Sequence, residues 1–232
     1  MACFLDSKGE EIMTISEAIN ERHSVRQYKT APIEEKLVTE LNAFIENCNA
    51  ESGLNIQLIC NDQECFNVFL AHYGKFSNAN NYIALVGKKS MTNLDETAGY
   101  FGEAIVLKAQ QMGLNTCWVA GTFGRKKCKA KVAKDEKIVC VISIGYGENQ
   151  GVKHKSKPIE KLCKADLSTA SEWFKTGVDA ALQAPTALNQ QKFIISMEGE
   201  DAEIVSKGGA MTKLDLGIVK YNFEAASGHK VK

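Results

Sequence analysis

The sequence lacks a net charge, because 28 lysines and arginines balance 28 aspartates and glutamates. Proteins that bind nucleic acids usually carry a surplus of basic residues that meet the phosphate backbone. The balance therefore argues against a nucleic-acid partner and favours a small-molecule ligand. The basic cluster at residues 153–157 does not alter this inference, because most clusters of this kind are solvated surface.

The eight cysteines lack the spacings of a metal site or of a disulfide framework. No two of them form a CxxC pair, and none stands in a block of cysteine and histidine ligands. We expect reduced and mostly buried thiols, with no bound metal. Cys60, Cys65 and Cys117 could be redox-active, but the absence of a spacing signature favours a core position for each of them.

The sequence also lacks a long hydrophobic run. No window approaches the length of apolar sequence that a bilayer span requires. Residues 1–12 contain acidic side chains and no apolar stretch of signal-peptide length. These absences predict a soluble, cytoplasmic protein that has no membrane partner.

Helical periodicity and short apolar runs follow one another along the chain without strict βαβ alternation. The T-x-x-E patterns at Thr14 and Glu17 and at Thr169 and Glu172 predict two capped helices, and Pro32 is placed to begin another. This mixture predicts an α+β fold with helices around a small sheet, and 232 residues suffice for one sizeable core. Apolar spacing places helices over residues 64–73, 95–112, 169–184 and 216–226, and strands over residues 55–60, 82–86, 137–144 and 193–195.

Residues 184–193, Ala-Pro-Thr-Ala-Leu-Asn-Gln-Gln-Lys-Phe, connect a predicted helix to a predicted strand. Pro185 disfavours helical geometry at Ala184, so the helix should end there. Asn189 and Gln191 each carry an amide donor and acceptor, and their spacing would let both lie along one extended edge, where they suit a flat heterocycle. The alternative, that both amides only satisfy loop backbone groups, has equal weight on spacing alone.

Two further stretches could contact a ligand. Arg22 and Arg26 place two guanidinium groups around Ser24, and guanidinium forks match phosphate geometry, although a solvated basic turn is the commoner origin of such a pattern. Residues 116–124 are small and apolar, with two glycines where the backbone could approach a ligand closely. Residues 145–151 contain three mis-spaced glycines and precede no apolar helix, which excludes a Rossmann dinucleotide site.

In this order, the motifs resemble those of the nitroreductase family of flavin enzymes, and the resemblance covers nearly the whole chain. Residues 22–28 resemble the family's R-x-S-x-R-x-aromatic opening. Residues 113–123 resemble its G-L-x-x-x-W segment and the glycine loop that follows. Residues 144–147 resemble a strand end of the family, and residues 153–158 resemble its phosphate-side segment.

The family's A-P-S-x-x-N-x-Q-P-W motif is displaced in this chain. Family members usually carry the motif after the second helix, where this chain has the unrelated residues 47–53. Residues 184–193 match it instead. This arrangement is similar to that of a nitroreductase subgroup with a C-terminal helix–motif–strand unit, and residues 215–218 also resemble that subgroup. Lys192 and Phe193 replace the usual Pro-Trp pair.

The resemblance implies a central, mostly antiparallel sheet wrapped by helices, in a single domain over residues 1–232 whose C-terminal unit, residues 168–232, packs into the same core. It further implies FMN bound at a homodimer interface. The implied contacts to the phosphate end are Arg22, the His23 backbone, Ser24 and one of Lys155 or Lys157, with Arg26 near the pyrimidine ring. The implied contacts to the isoalloxazine are Pro185, Thr186, Ala187, Asn189 and Gln191 along its edge, and the backbone of Ala120 and Gly121, followed by Thr122, towards N5.

The activity that the resemblance implies is that of an FMN-dependent oxidoreductase. NAD(P)H would reduce the flavin, which would then reduce a nitroaromatic, a quinone or a similar acceptor by ping-pong hydride transfer. No catalytic side chain is then required, which accounts for the absence of a catalytic triad. Two alternatives stay open: a flavin-storage or redox-sensing protein without rapid turnover, and other flavin chemistry such as reductive dehalogenation, for which residues 74–81 could form a lid.

Overall fold

A computed structural model describes residues 13–232, so residues 1–12, which were expected to lack a leader sequence, lie outside the described residues. No helix within residues 13–232 is long and apolar enough to cross a bilayer. The helices are α1 (Ile15–Glu21), α2 (Glu35–Ser52), α3 (Phe69–Tyr73), α4 (Leu94–Gln111), α5 (Glu172–Leu182) and α6 (Thr212–Ser227). The strands are β1 (Gln57–Ile59), β2 (Tyr82–Lys88), β3 (Asn115–Val119), β4 (Glu136–Gly145), β5 (Phe193–Glu198) and β6 (Asp201–Ser206), and single 3₁₀ turns occur at Ile159–Lys161 and Ala187–Asn189.

Four of the strands form an antiparallel sheet in the order β1-β2-β4-β3. β2 is buried at every position from Tyr82 to Gly87, because both faces of the sheet are covered. β4 has ten residues and pairs with β2 and β3 on its two sides. The α+β fold with an antiparallel sheet and surrounding helices confirms the predicted fold class.

A second sheet consists of the β5–β6 hairpin alone. Gly199 in its turn has a positive φ of 64°, which glycine adopts without strain. Sequence patterns predicted only the first residues of β5 and missed β6, although its buried residues, Ala202 and Ile204, alternate with more exposed ones. β3 was also missed, because its residues were interpreted as part of a glycine-containing loop.

Local capping signals predicted one helix start correctly and two wrongly. At α1, the Thr14 backbone N–H donates to Glu17 Oε2 at 2.7 Å, which confirms the capping box. α2 begins at Glu35 and not at Pro32, because the first helical carbonyl is that of Glu34. α5 has no capping box, since the Thr169 hydroxyl donates to the Asp166 carbonyl instead.

The helix predicted over residues 64–73 is also shorter than expected. Only α3 is helical there. The Cys65 carbonyl accepts a hydrogen bond at 2.7 Å from the backbone N–H of Gly124, a residue of the loop after β3. This tertiary contact uses a carbonyl that a helix would otherwise pair with an amide four residues later.

One hydrophobic cluster contains buried side chains from α2, α4, α5, α6 and both sheets. Examples from the two halves of the chain are Leu41, Ile105, Ile142, Phe174, Ile195 and Phe223. This shared core supports a single domain in which the C-terminal unit packs against the rest. The single-domain organisation over residues 1–232 stays a prediction.

α4 and α6 cross so closely that their backbones are in contact. A Cβ atom added at Gly99 would overlap the Leu214 carbonyl oxygen, and one added at Gly217 would overlap the Glu96 carbonyl oxygen. Glycine is therefore required at the crossing from both sides. The crossing joins the C-terminal unit to the central helix of the core.

Replacing Gly217 with alanine should lower the free energy of unfolding by about 2 kcal/mol, because the added methyl group forces two packed helices apart. Alanine normally stabilises a helix interior by about 0.5–1 kcal/mol relative to glycine, so the sign of the change is itself informative. Urea unfolding followed by circular dichroism measures the change. Lys213→Ala on the exposed face of α6 is the control, and a stabilised Gly217→Ala protein would contradict the close crossing.

Candidate functional site

The segment Arg22–Arg26 lies along the free edge of the four-stranded sheet. α1 ends at Glu21, and Arg22 is its C-cap residue in an extended conformation. Ser24 forms a parallel bridge with Thr116 of β3, and the Val25 backbone N–H donates to the Thr116 carbonyl at 3.0 Å. The predicted phosphate motif is therefore fixed against the strand that leads into the glycine loop.

Arg22 is buried beside a carboxylate on α4. Its side chain is 4% exposed, and its Nε lies 3.9 Å from Oε1 of Glu103, which is 0% exposed. The other carboxylate oxygen of Glu103 accepts a hydrogen bond from Trp118 Nε1 at 2.9 Å. Neither Arg22 Nε nor Glu103 Oε1 has a hydrogen-bond partner. Incompletely paired buried groups of this kind are rare in native structures and are often found where a ligand binds.

Burial raises the pKa of Glu103 to about 7, and the Arg22 charge and the Trp118 hydrogen bond offset only part of this increase. The charge of Glu103 also contributes to the raised pKa of Tyr221 on α6, where burial is the main cause. Glu103 can therefore gain or lose a proton near neutral pH. When Glu103 is protonated, Arg22 keeps its buried positive charge, but the carboxyl group beside it is no longer an anion.

Residues 151–157, which we call the basic strap, begin against the Arg22–Arg26 segment. A Cβ atom added at Gly151 would lie 2.8 Å from the His23 Cβ and 3.0 Å from the Ser24 carbonyl oxygen, and Gly151 has a φ of 76°. His23 Nδ1 lies 3.2 Å from the carbonyl oxygen of Gln150. Glycine at this position allows the strap to pass directly over the segment.

His154 of the basic strap faces the same cationic site. Burial lowers its pKa, and the nearby charges of Arg22 and His23 lower it further. Its Nε2 is buried without a hydrogen-bond partner. The sequence patterns predict contacts from Lys155 and Lys157 but not from His154. The only available signal was its position between Lys153 and Lys155.

The far end of the basic strap is bound to the loop at residues 185–191, which we call the C-terminal loop. The Lys155 carbonyl accepts hydrogen bonds from Asn189 Nδ2 and Gln191 Nε2, both at 2.9 Å. The Lys157 backbone N–H donates to Gln191 Oε1 at 2.7 Å, and its ammonium donates to the Gln190 carbonyl at 2.5 Å. The structure therefore brings together the predicted phosphate motif, the strap and the C-terminal loop.

The C-terminal loop does not have the predicted extended edge. Leu188, Asn189 and Gln191 have φ values of 52°, 52° and 43°, so they lie in the left-handed region. Such a conformation costs on the order of 1 kcal/mol or more for a residue other than glycine. The prediction that Asn189 and Gln191 lie along one extended edge is wrong, because both amides turn towards the carbonyl of Lys155.

The side-chain amides of Asn189 and Gln191 differ in the N–H donors that they can still offer to a ligand. Gln191 is 2% exposed, and its Nε2 donates both to the Lys155 carbonyl and to Asn189 Oδ1, the latter at 2.7 Å. Both of its N–H donors are therefore used inside the chain. Asn189 is exposed and retains one N–H donor. Of the pair, Asn189 is the residue that can still donate to a ligand.

Asp215 stabilises the strained loop from the first turn of α6. Its carboxylate accepts hydrogen bonds from the Ala187 backbone at 2.9 Å and from Gln190 Nε2 at 2.7 Å. Burial raises the pKa of Asp215, and these two hydrogen bonds counteract the increase. A carboxylate is also favoured in the first turn of a helix by the helix dipole. The loop conformation therefore depends on α6.

Residues 120–122 follow β3 and leave their backbone open. Gly121 is exposed, and no atom lies within 4 Å of the position that a Cβ would take there. A Cβ atom added at Gly74 would lie 3.2 Å from Thr122 Oγ1, so this loop lies beside the end of α3. Within residues 13–232, no hydrogen bond joins it to the strap or to the C-terminal loop. Arg26 is exposed, and its charge counteracts the effect of burial on the pKa of Cys117.

The same region exposes apolar side chains. Leu188 of the C-terminal loop is fully exposed, and Val152 of the strap is 81% exposed. Within the described chain, no group of three or more histidine, cysteine or acidic side chains could hold a metal ion. The absence of a bound metal stays a prediction. The arrangement of a buried guanidinium, open backbone and exposed apolar side chains suits an anionic ligand that also has a flat, apolar part.

A family model described as "Putative TM nitroreductase" matches residues 14–227 of the chain. The crystal structure of a Thermotoga maritima protein of the same description is similar to the whole fold. It has a TM-score of 0.68 and 24% sequence identity, and the match covers 94% of this chain and 85% of that one. No curated protein matches the chain.

Smaller proteins match part of the chain. A nitroreductase family protein from Streptococcus pneumoniae has a TM-score of 0.53 at 13% identity, covering 65% of this chain and 98% of its own. A Parabacteroides distasonis protein described as an NADH dehydrogenase/NAD(P)H nitroreductase has a TM-score of 0.51 at 19% identity, covering 64% and 95%. About a third of this chain therefore has a counterpart in the Thermotoga protein but not in the smaller ones.

The raised pKa of Glu103 makes a prediction about stability. Its folded-state pKa of about 7 exceeds the ordinary value of 4.5, so its stabilising contribution is full below about pH 4.5 and is lost as the pH rises through 7. In Glu103→Gln this loss should disappear. Between about pH 5 and about pH 8, the unfolding free energy of the wild type should therefore fall by on the order of 2 kcal/mol more than that of the variant.

Urea unfolding of the ligand-free protein at several pH values measures this difference. Glu40→Gln is the matched control, because Glu40 is a partly exposed carboxylate that pairs with Lys108 at the surface. The control should keep the wild-type slope. A Glu103→Gln protein with the wild-type slope would show that Glu103 is ionised throughout this range.

Proposed function

The chain belongs to the nitroreductase family and is a nitroreductase-type oxidoreductase; we propose that it binds FMN, accepts electrons from NAD(P)H and passes them to a nitroaromatic, a quinone or a similar acceptor. Family membership supports the reaction class. The binding of FMN is supported by the buried cationic site, in which Arg22 and His154 each have a buried nitrogen without a hydrogen-bond partner. This observation carries the proposal.

The residues present fit the phosphate end of FMN. A guanidinium group and an imidazole are both suited to a phosphate, and an anion would supply the hydrogen-bond partners that Arg22 Nε and His154 Nε2 lack. Ser24 and the His23 backbone lie on the same edge segment, where the strap covers them. Within the described chain the Lys155 ammonium makes no hydrogen bond or ion pair, whereas that of Lys157 is bound to the C-terminal loop. We therefore assign the lysine contact to Lys155.

The remaining predicted contacts concern the ring system of FMN. Arg26 would hold positive charge near the pyrimidine end, where reduction of the ring leaves negative charge. Ala120, Gly121 and Thr122 would present an open backbone towards N5. The C-terminal loop would line the ring edge through Pro185, Thr186, Ala187 and Asn189, and we propose that Gln191 acts there mainly by holding Asn189 and the strap in place.

Bound FMN would supply the hydride chemistry, and the residues of the chain would bind it, orient it and limit the access of water. Hydride transfer requires the donor and the acceptor to occupy the same position in turn, about 3–3.5 Å from the reactive atom. The open backbone at Gly121 leaves space for such a position. No side chain has to form a covalent bond with the substrate.

We propose a homodimer in which two copies enclose the site. The exposed side chains of Leu188 and Val152 support this proposal, because large apolar side chains at the surface are favoured at interfaces between chains. A cytoplasmic location also stays a prediction.

The test of the enzyme function is anaerobic mixing of the FMN-loaded protein with NADPH or NADH. We expect loss of the oxidised flavin absorbance, followed by its recovery when a nitroaromatic or a quinone is added. This sequence of changes separates turnover from storage or sensing. If flavin stays oxidised in the presence of both nucleotides, the protein is a flavin-binding module and not an NAD(P)H oxidoreductase.

Arg22→Ala should weaken FMN binding by about 2 kcal/mol, or about 30-fold in Kd, because it removes a desolvated partner of the phosphate. Fluorescence titration with FMN measures the effect. Riboflavin has no phosphate, so its binding should change much less and serves as the ligand control.

A second variant excludes an indirect effect of the unpaired Glu103. Arg22→Ala/Glu103→Gln removes both charges, so no buried carboxylate is left without its cation. FMN binding should stay weak in the double variant. Wild-type affinity in the double variant would show that Arg22 only neutralises Glu103 and does not bind the phosphate.

A further inference from the structure

Cys65 and Cys128 lie on either side of the loop that follows β3. The Gly124 backbone N–H donates to the Cys65 carbonyl at 2.7 Å, and the Gly124 carbonyl accepts from the Cys128 backbone N–H at 2.9 Å. A Cβ atom added at Gly124 would lie 3.2 Å from the Cys65 carbonyl oxygen. The two cysteines, 63 positions apart in sequence, are thus fixed to one glycine.

Their side chains also share one buried cluster. Cys128 packs against the cluster that contains Cys65 and Tyr82, and each of the two thiols is the largest influence on the pKa of the other. Tyr82 is held in place because it donates to Asp62 Oδ2 at 2.7 Å and accepts from the Lys129 backbone N–H at 2.9 Å. The two thiols therefore share one buried cluster, on backbone segments that are fixed to the same glycine.

The two thiols differ in acidity and in access to solvent. The interaction between the two thiols lowers the pKa of Cys128, and the same interaction together with burial raises the pKa of Cys65. Asp62 opposes ionisation of Cys128, but the Lys129 ammonium lies 3.2 Å from Asp62 and partly neutralises it. Cys128 is half-buried and Cys65 is fully buried. Cys128 is thus the accessible thiolate, and Cys65 is the adjacent thiol.

No other cysteine within residues 13–232 shares this arrangement. Burial raises the pKa of each of the other described thiols, which makes them poor nucleophiles at neutral pH. These thiols belong to Cys48, Cys60, Cys117, Cys140 and Cys163.

We propose that Cys65 and Cys128 are a redox-active dithiol that closes to a disulfide by exchange with low-molecular-weight disulfides. The Cys128 thiolate attacks one sulfur of the external disulfide, so that a mixed disulfide forms and one thiolate leaves. Cys65 then loses its proton and attacks the Cys128 sulfur, which releases the second external thiol. The external disulfide gains two electrons and two protons, and the protein loses them.

Closure would link the segment before α3 to the loop after β3 covalently. The peptide of Gly124 would then be held from both sides by residues that are bonded to each other. The proposal does not require the chain to bind FMN, so its test is independent of the proposed function.

The test is incubation of the full-length protein with oxidised glutathione at about pH 7, near the range where Cys128 is ionised. N-ethylmaleimide then blocks the remaining thiols, and intact mass is measured. We expect a species with two fewer maleimide groups and no bound glutathione, which dithiothreitol converts back. Peptide mapping without reduction should identify the bond between Cys65 and Cys128.

Single variants separate the two steps. Cys65→Ser should accumulate glutathione on Cys128, and Cys128→Ser should slow the loss of free thiols by about tenfold or more. Cys60→Ser is the matched control, because Cys60 is a half-buried thiol in the same segment, and it should react as wild type does. A disulfide that joins other cysteines, or an unchanged rate in Cys128→Ser, would overturn the proposal.

Discussion

The buried carboxylate of Glu103 joins three elements of the candidate site. It receives the indole N–H of Trp118 from β3 and lies beside Arg22 at the end of α1, while its own backbone belongs to α4. Burying a charge costs several kcal/mol unless it is well paired, and a separation of 3.9 Å does not provide a hydrogen bond. The pair is therefore incomplete by itself. This incompleteness gives the Arg22–Arg26 segment the capacity to accept an anion, because the cation is fixed in place but its donors are not all used.

The opposite side of the site depends on a second buried carboxylate. Asp215 fixes the C-terminal loop, and the loop in turn fixes the basic strap through Asn189 and Gln191. The close crossing of α4 and α6 places Asp215 and Glu103 on two helices with touching backbones. The phosphate side and the ring side of the proposed FMN site are thus held by one helix pair. Displacement of the motif to the C-terminus is compatible with a single site for this reason.

Local sequence patterns predicted the elements whose signals are local. The apolar run of β2, the periodicity of α4 and the capping box of Thr14 act within one element, and each was confirmed. Patterns failed where a distant partner decides the structure. Thr169 bonds to Asp166 instead of capping α5, and Cys65 bonds to Gly124 instead of continuing a helix. Glu103 and His154 were missed for the same reason. Their neighbours in sequence do not indicate that Glu103, on α4, and His154, on the basic strap, would both lie near Arg22.

Two fully buried carboxylates show why burial alone did not identify the site. Burial acts to raise the pKa of Asp62, but hydrogen bonds from the Tyr82 hydroxyl, the Glu64 backbone and Lys129 outweigh it, so its pKa is lowered. Burial raises the pKa of Glu103 as well, and there its two partners do not outweigh the cost. Asp62 is therefore a fully paired structural carboxylate, which holds the Tyr82 hydroxyl in place. Glu103 leaves one oxygen without a donor. The proposed ligand site is therefore marked by a buried carboxylate that lacks a hydrogen-bond partner, whereas burial of a carboxylate alone does not mark it.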